Sequence, residues 1–121
     1  MLRRMLPILL VTLCATAVAA EPQVIEVKLE SYAIKPDTIT VKVGQPVTLK
    51  VRNEATFIPH DLVIKAPDAG IDVKLDLSAG KSGEVSFIPT KAGRYEMVCD
   101  KAPPIGKSHK EKGMHGTLVV E

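Results

Sequence analysis

Cysteine is scarce in this chain. It has two, Cys14 and Cys99, and the first falls within MLRRMLPILLVTLCATAVAA, a stretch with the grammar of a secretory leader. Two arginines precede an apolar run from Met5 to Val11, and small residues end in Ala17-Val18-Ala19. Leu13 stands where lipoprotein processing at Cys14 needs a small residue. Residues 1–20 are therefore expected to be a cleaved signal peptide and 21–121 a single domain, with cleavage after Ala19 or Ala20. That would leave Cys99 as the lone cysteine of an exported, periplasmic protein. A lone thiol there cannot close an intramolecular disulfide, which leaves pairing between chains, a reactive thiol, a metal ligand or inert burial.

The chain also lacks an excess of charge. The full sequence carries a formal +2, and removal of Arg3 and Arg4 with the leader brings acids and bases into balance. Net charge thus predicts no nucleic-acid partner and no attraction to an anionic membrane. The leader is shorter and more poorly flanked than a membrane span of roughly 20 apolar residues, so no membrane insertion is expected after its removal. Internal repeats, low-complexity tracts, a glycine-rich phosphate loop, a Ser-His-Asp combination and paired carboxylates are all missing. An enzyme is not expected.

What is present concentrates in the last quarter. Cys99 is followed by His109 at Cys-x9-His and by Met114 at His-x4-Met, and the chain then enters a closing alternating run. Thiolate, imidazole and a weakly bound thioether are donors that suit copper, and a second histidine completes a trigonal His2Cys set with a long axial Met. The upstream candidate is His60, in NEATFIPHDLVI. Lys101, Lys107, Lys110 and Lys112 cluster around His109; they read either as a solvated loop or as a docking rim for an acidic partner.

About a hundred residues suit one compact domain. Alternation marks strands at Val24–Leu29, Thr38–Val43, Val47–Arg52, His60 onward, Ile71–Leu77, around Val85–Phe87, Arg94–Cys99 and through Met114–Val120. Gly44-Gln45-Pro46 between the second and third predicts antiparallel strands joined by a tight turn. Parity puts His60 with Leu62 and Ile64 and turns Asp61 to the other side. It puts Cys99 with Tyr95 and Met97, and places Met114 inward with His115 outward. Seven to eight short strands with Gly- and Pro-rich turns and no convincing amphipathic helix describe an all-β sandwich.

The ordered succession of Pro36, Ile39, Val41 and Gly44, then Asn53 to Pro59-His60-Asp61, then Gly93-Arg94-Tyr95, Cys99, His109 and Gly113-Met114-x-Gly116-Thr117-Leu118-x-Val120 resembles the cupredoxins, the small blue copper proteins. The resemblance spans residues 21–121. It implies a Greek-key β-sandwich holding one type 1 copper ion that alternates between Cu(I) and Cu(II), with His60, Cys99 and His109 equatorial and Met114 axial. It also implies that the Asp61 N–H points at the thiolate. The implied role is one-electron transport between redox protein partners of the cytochrome or oxidase type, by a monomer. A copper chaperone or resistance protein handling Cu(I) is the second class, and a metal-free interaction module the third. One departure stands out: the family commonly places two to four residues between this Cys and His, and here there are nine. The Cys-x3-Cys-x3-His loop of dinuclear copper centres is closer in length, but Pro103 occupies the place of its second Cys. The expectation is that the loop bulges and returns His109 to the site, with His115 as the substitute ligand.

Overall fold

The computed structural model describes residues 21–121 together with Ile8 and residues 10–14. Most of the expected leader therefore lies outside the described residues. Among the described residues nine strands form two sheets. In chain order they are β1 (Gln23–Glu30), β2 (Ala33–Lys35), β3 (Thr38–Val41), β4 (Val47–Asn53), β5 (His60–Ala66), β6 (Ile71–Leu77), β7 (Ser82–Phe87), β8 (Gly93–Val98) and β9 (His115–Val120). A 3-10 turn, Pro67–Ala69, links β5 to β6. Among the described residues no helix is long and apolar enough to cross a membrane.

One sheet has the order β2-β1-β4-β7 and the other β3-β9-β8-β5-β6. Each strand sends alternate side chains into the space between them, as a period of two requires. Val27 and Leu29 of β1 and Leu49 and Val51 of β4 meet Ile39, Val41, Leu62, Ile64, Ile71, Met97, Leu118 and Val120 from the facing sheet in one buried cluster. Cys99 and Met114 belong to that same cluster.

One local expectation is corrected. The runs around Gly44-Gln45-Pro46 do not pair with each other. β3 lies parallel to β9 in one sheet and β4 lies parallel to β1 in the other, so the turn carries the chain across the sandwich. Gly44 takes φ 76° there, a conformation glycine adopts without steric cost. Asp61 does alternate away from His60, but it is as fully buried as His60 is. β5 lies inside its sheet, between β8 and β6, and both of its faces are covered from His60 to Ile64.

The topology collects the chemistry at one end of the five-stranded sheet. β9, β8 and β5 are neighbours, and Met114 immediately precedes β9, Cys99 immediately follows β8 and His60 opens β5. Because β8 runs antiparallel to both of its neighbours, all three positions fall at the same edge. The Cys99 N–H donates to the Met114 carbonyl at 3.1 Å, extending the β8–β9 ladder by one rung.

Candidate metal centre

His109 reaches this edge from the connection between β8 and β9. Its N–H donates to the carbonyl of Lys101 at 2.9 Å. That bond closes residues 102–108 into an outward excursion whose tip, Ile105, is 91% exposed. The short path from Cys99 to His109 therefore runs through Asp100 and Lys101 alone, and the excess length lies outside the site. A helical turn then fixes the histidine. Ser108 and Glu111 cap each other reciprocally, with the Glu111 N–H donating to Ser108 Oγ at 3.2 Å and the Ser108 N–H to Glu111 Oε1 at 3.4 Å. The Met114 N–H closes onto the His109 carbonyl at 3.0 Å.

The three polar donor atoms converge. His60 Nδ1 and His109 Nδ1 are 3.2 Å apart, Cys99 Sγ lies 3.5 Å from His109 Nδ1, and it lies 3.9 Å from His60 Nδ1. A triangle with those sides has its centre about 2.1 Å from each corner, close to the metal–nitrogen and metal–sulfur lengths of about 2.0 to 2.3 Å known for zinc. Two nitrogens and a sulfur fit a first-row ion of borderline softness, and no carboxylate shares the cluster. Met114 is fully buried next to it and hydrogen-bonded through its backbone to both Cys99 and His109. His115, the alternative ligand, is exposed at the first position of β9.

The protonation states suit a ligand set. Burial, and then the neighbouring His109, lower the His60 pKa to about 4. Burial, followed by the positive charges of Lys112 and Lys101, lowers that of His109. Both imidazoles are therefore neutral at pH 7, with nitrogen lone pairs free to point inward. Burial raises the Cys99 thiol to about 11, so it loses its proton at neutral pH only when a cation replaces it. The Asp61 N–H faces the sulfur at 3.4 Å, where the resemblance put it.

Around these atoms lie groups whose roles the sequence did not disclose. The Asp61 carboxylate accepts the Asp100 N–H at 2.8 Å, bracing the residue that follows Cys99. Burial, then the neighbouring Asp100 side-chain carboxyl, pushes its pKa up to about 6, against the opposing pull of the Asp100 N–H. Asn53 is fully buried and ties the loop leading to His60. Tyr32 packs nearly perpendicular to both imidazoles. The Ser108-x-x-Glu111 spacing is a capping signal open to a reader of the sequence; Asn53 and Tyr32 carry no comparable local sign.

The lysines around His109 form a weaker rim than their number implies. Lys101 pairs with Asp76 and Lys110 with Glu96, each at 2.7 Å. These exposed pairs contribute little energy apiece, but they tie the His109 loop to β6 and β8 and neutralise two of the four cations.

Comparison with known proteins agrees with this geometry. The family model described as cupredoxin-like domain matches residues 3–120. The fold is similar to dithionite-reduced auracyanin from Roseiflexus castenholzii, with a TM-score of 0.67 and 22% identity over 85% of this chain and 99% of that one. It is similar to auracyanin A, a blue copper protein of Chloroflexus aurantiacus, with a TM-score of 0.65 and 25% identity over 84% of this chain and all of that one. The metal-binding domain of the Cu(I)-exporting P-type ATPase of Streptococcus pneumoniae D39 has a TM-score of 0.64 and 15% identity, over 87% of this chain and 91% of that domain. No curated protein matches the sequence. With a nine-stranded sandwich among the described residues and His60, Cys99 and His109 converging beside the buried Met114 in a type 1 copper-like arrangement, the chain belongs to the cupredoxin-like domain family.

Proposed function

We propose that the protein is a periplasmic type 1 copper protein that carries single electrons between larger redox proteins, in which His60, Cys99, His109 and Met114 would hold the metal. The observation that carries this reading is the triangle of two Nδ1 atoms and one Sγ around a common centre at bonding distance. Copper bound there would supply a one-electron Cu(I)/Cu(II) couple. The protein supplies rigidity. Each ligand is held by a rung of the β8–β9 ladder, by the mouth of β5 or by the Lys101–His109 bond, so neither oxidation state can pull the donors far from one geometry. The Asp61 N–H holds the sulfur and withdraws electron density from it, which tunes the potential. The leader at 1–20 supports export, and the similarity to auracyanins supports an electron carrier over an enzyme.

The test is a Cu(II) titration of the protein followed by visible and electron-spin-resonance spectroscopy through reduction and reoxidation. An intense thiolate-to-copper band that bleaches and returns is expected. If Cu(II) is only reduced, or binds without that band while Cu(I) binds tightly, the protein hands copper on instead of cycling it.

Two further outcomes follow from the site. Met114→Leu keeps the core filled, since Leu and Met are near volume-conserving, so the variant should still bind copper with its charge-transfer band. Its potential should rise, because loss of the axial sulfur weakens Cu(II) more than Cu(I); voltammetry of the two proteins checks this.

The second outcome concerns pH. The thiol is protonated below about 11 in the metal-free protein and both imidazoles are neutral at pH 7. Binding at neutral pH should therefore release about one proton, from Cys99, and affinity should fall about tenfold per unit of falling pH. The histidines add a stability effect of fixed sign. Their folded pKa values lie below the unfolded value of about 6.5, so the unfolded chain takes up protons first. The metal-free fold should lose stability as pH falls from about 6.5 towards the His60 value of about 4. Calorimetry in buffers of different ionisation enthalpy counts the proton, and denaturation of the metal-free protein between pH 7 and 4 reads the second effect.

A further inference from the structure

Tyr32 sits in the two-residue turn between β1 and β2, where Glu30 pairs with Ala33. Its φ is 63°, and among the described residues it is the only one other than glycine with a positive φ. A bulky side chain is disfavoured in that conformation, and a turn that needs it ordinarily uses Gly or Asn. The backbone is therefore strained at a residue whose ring goes to the metal centre. That ring meets His109 at 5.3 Å between centroids and 74° between planes, and His60 at 6.4 Å and 78°. Both lie within the range of favourable edge-to-face contacts. The Lys112 ammonium, from the turn that carries His109, lies 4.4 Å from the centre of the ring. Gly113 passes so close that a Cβ there would stand 3.3 Å from the Tyr32 carbonyl.

We infer that Tyr32 is a positioning residue of the metal centre. Its ring, set nearly perpendicular to both imidazoles, fixes their planes while Lys112 on its face draws the His109 turn down over it, so that the β1–β2 turn, far from the ligands in sequence, sets where His109 stands. This rests on the copper reading above. Glycine would relax the turn but also remove a ring that is half-buried against the core, so the stability of that variant does not by itself distinguish packing from positioning. What marks a positioning residue is that its loss loosens the site itself: the His109 turn opens and copper binding weakens even in a variant that stays folded.

The experiment compares wild type with Tyr32→Phe, Tyr32→Leu and Tyr32→Gly. In the metal-free proteins, hydrogen exchange of the His109 amide, which is bonded to Lys101, is followed by NMR, together with ring-to-ring Overhauser contacts between residues 32 and 109. In the loaded proteins, Cu(I) affinity is measured by chelator competition and the potential by voltammetry. Phe should match wild type in all of these. Leu and Gly should speed His109 exchange and weaken Cu(I) binding by about tenfold, the fold-change an aromatic edge contact can carry, and should shift the potential. The inference is overturned if Leu and Gly keep His109 exchange within twofold of wild type, whatever their stability. If wild type fails to develop a thiolate–copper band, the copper reading falls instead, and the metal-free exchange data still decide the role of Tyr32.

Discussion

Cys99→Ser is expected to abolish the visible absorption of the copper-loaded protein while leaving the metal-free fold in place. The sulfur is the one soft donor of the converging triangle. It sits fully buried, and the two nitrogens opposite it cannot by themselves produce a thiolate-to-metal charge-transfer band. Serine preserves the shape but offers a hydroxyl that stays protonated at neutral pH and is a hard ligand. Copper that binds should therefore do so more weakly and without intense colour. The fold should tolerate the change, because the Asp61 N–H now facing Sγ at 3.4 Å can donate to the new oxygen. Burial of a partnered hydroxyl then costs only about 1 kcal/mol. Optical titration reads the site and chemical denaturation of the metal-free proteins reads the fold. A variant that kept the band would defeat the assignment of Cys99 as a ligand, and one that failed to fold would show the thiol to be a packing element first.

The candidate ligands stood out in the sequence because each carries its chemistry in its identity. Cys99 stood out through the scarcity of cysteine, and His60, Met114 and the closing strand through parity against their apolar neighbours. Strand positions were legible for the same reason: β1, β4, β8 and β9 alternate cleanly. What alternation does not encode is the neighbour. It assigns faces and leaves pairing open, so the turn at Gly44 read as a hairpin although β3 and β4 lie in different sheets. The long spacing from Cys99 to His109 became intelligible only with the Lys101–His109 bond, a long-range closure with no sequence mark. Tyr32 was hidden because its part depends on the sign of one backbone angle. Parity placed Asp61 opposite His60 but could not show that this face of β5 is covered as well.

Asn53→Ala should have the largest effect on stability, although Asn53 is not a candidate ligand. The side chain is fully buried at the end of β4. Its Nδ2 donates to the Ile58 carbonyl at 2.9 Å and to the Leu77 carbonyl at 3.0 Å, and its Oδ1 accepts the Ala55 N–H at 3.0 Å. Leu77 is the register partner of His60 across β5 and β6, and Ile58 lies two residues before it. One amide thus joins the two sheets and fixes both sides of the strand mouth that presents His60. Alanine leaves three backbone groups without their partner. At about 1 kcal/mol for each hydrogen bond lost, the metal-free protein should lose about 3 kcal/mol, roughly 10–20 °C in melting temperature for a domain of this size. Asn53→Asp should fare no better, because a carboxylate keeps the acceptor for Ala55 but turns an anion towards two carbonyl oxygens in a buried site. The effect should reach the metal centre as well. With the 54–59 loop released, His60 loses its fixed approach to Cys99 and His109, and copper affinity should fall along with stability. Denaturant melts of both variants, with copper titrations under conditions where each is still folded, separate the two losses. A stability loss below about 1 kcal/mol would mean that the backbone ladder holds the mouth of β5 without the amide, and that the positioning of His60 resides in the sheet itself.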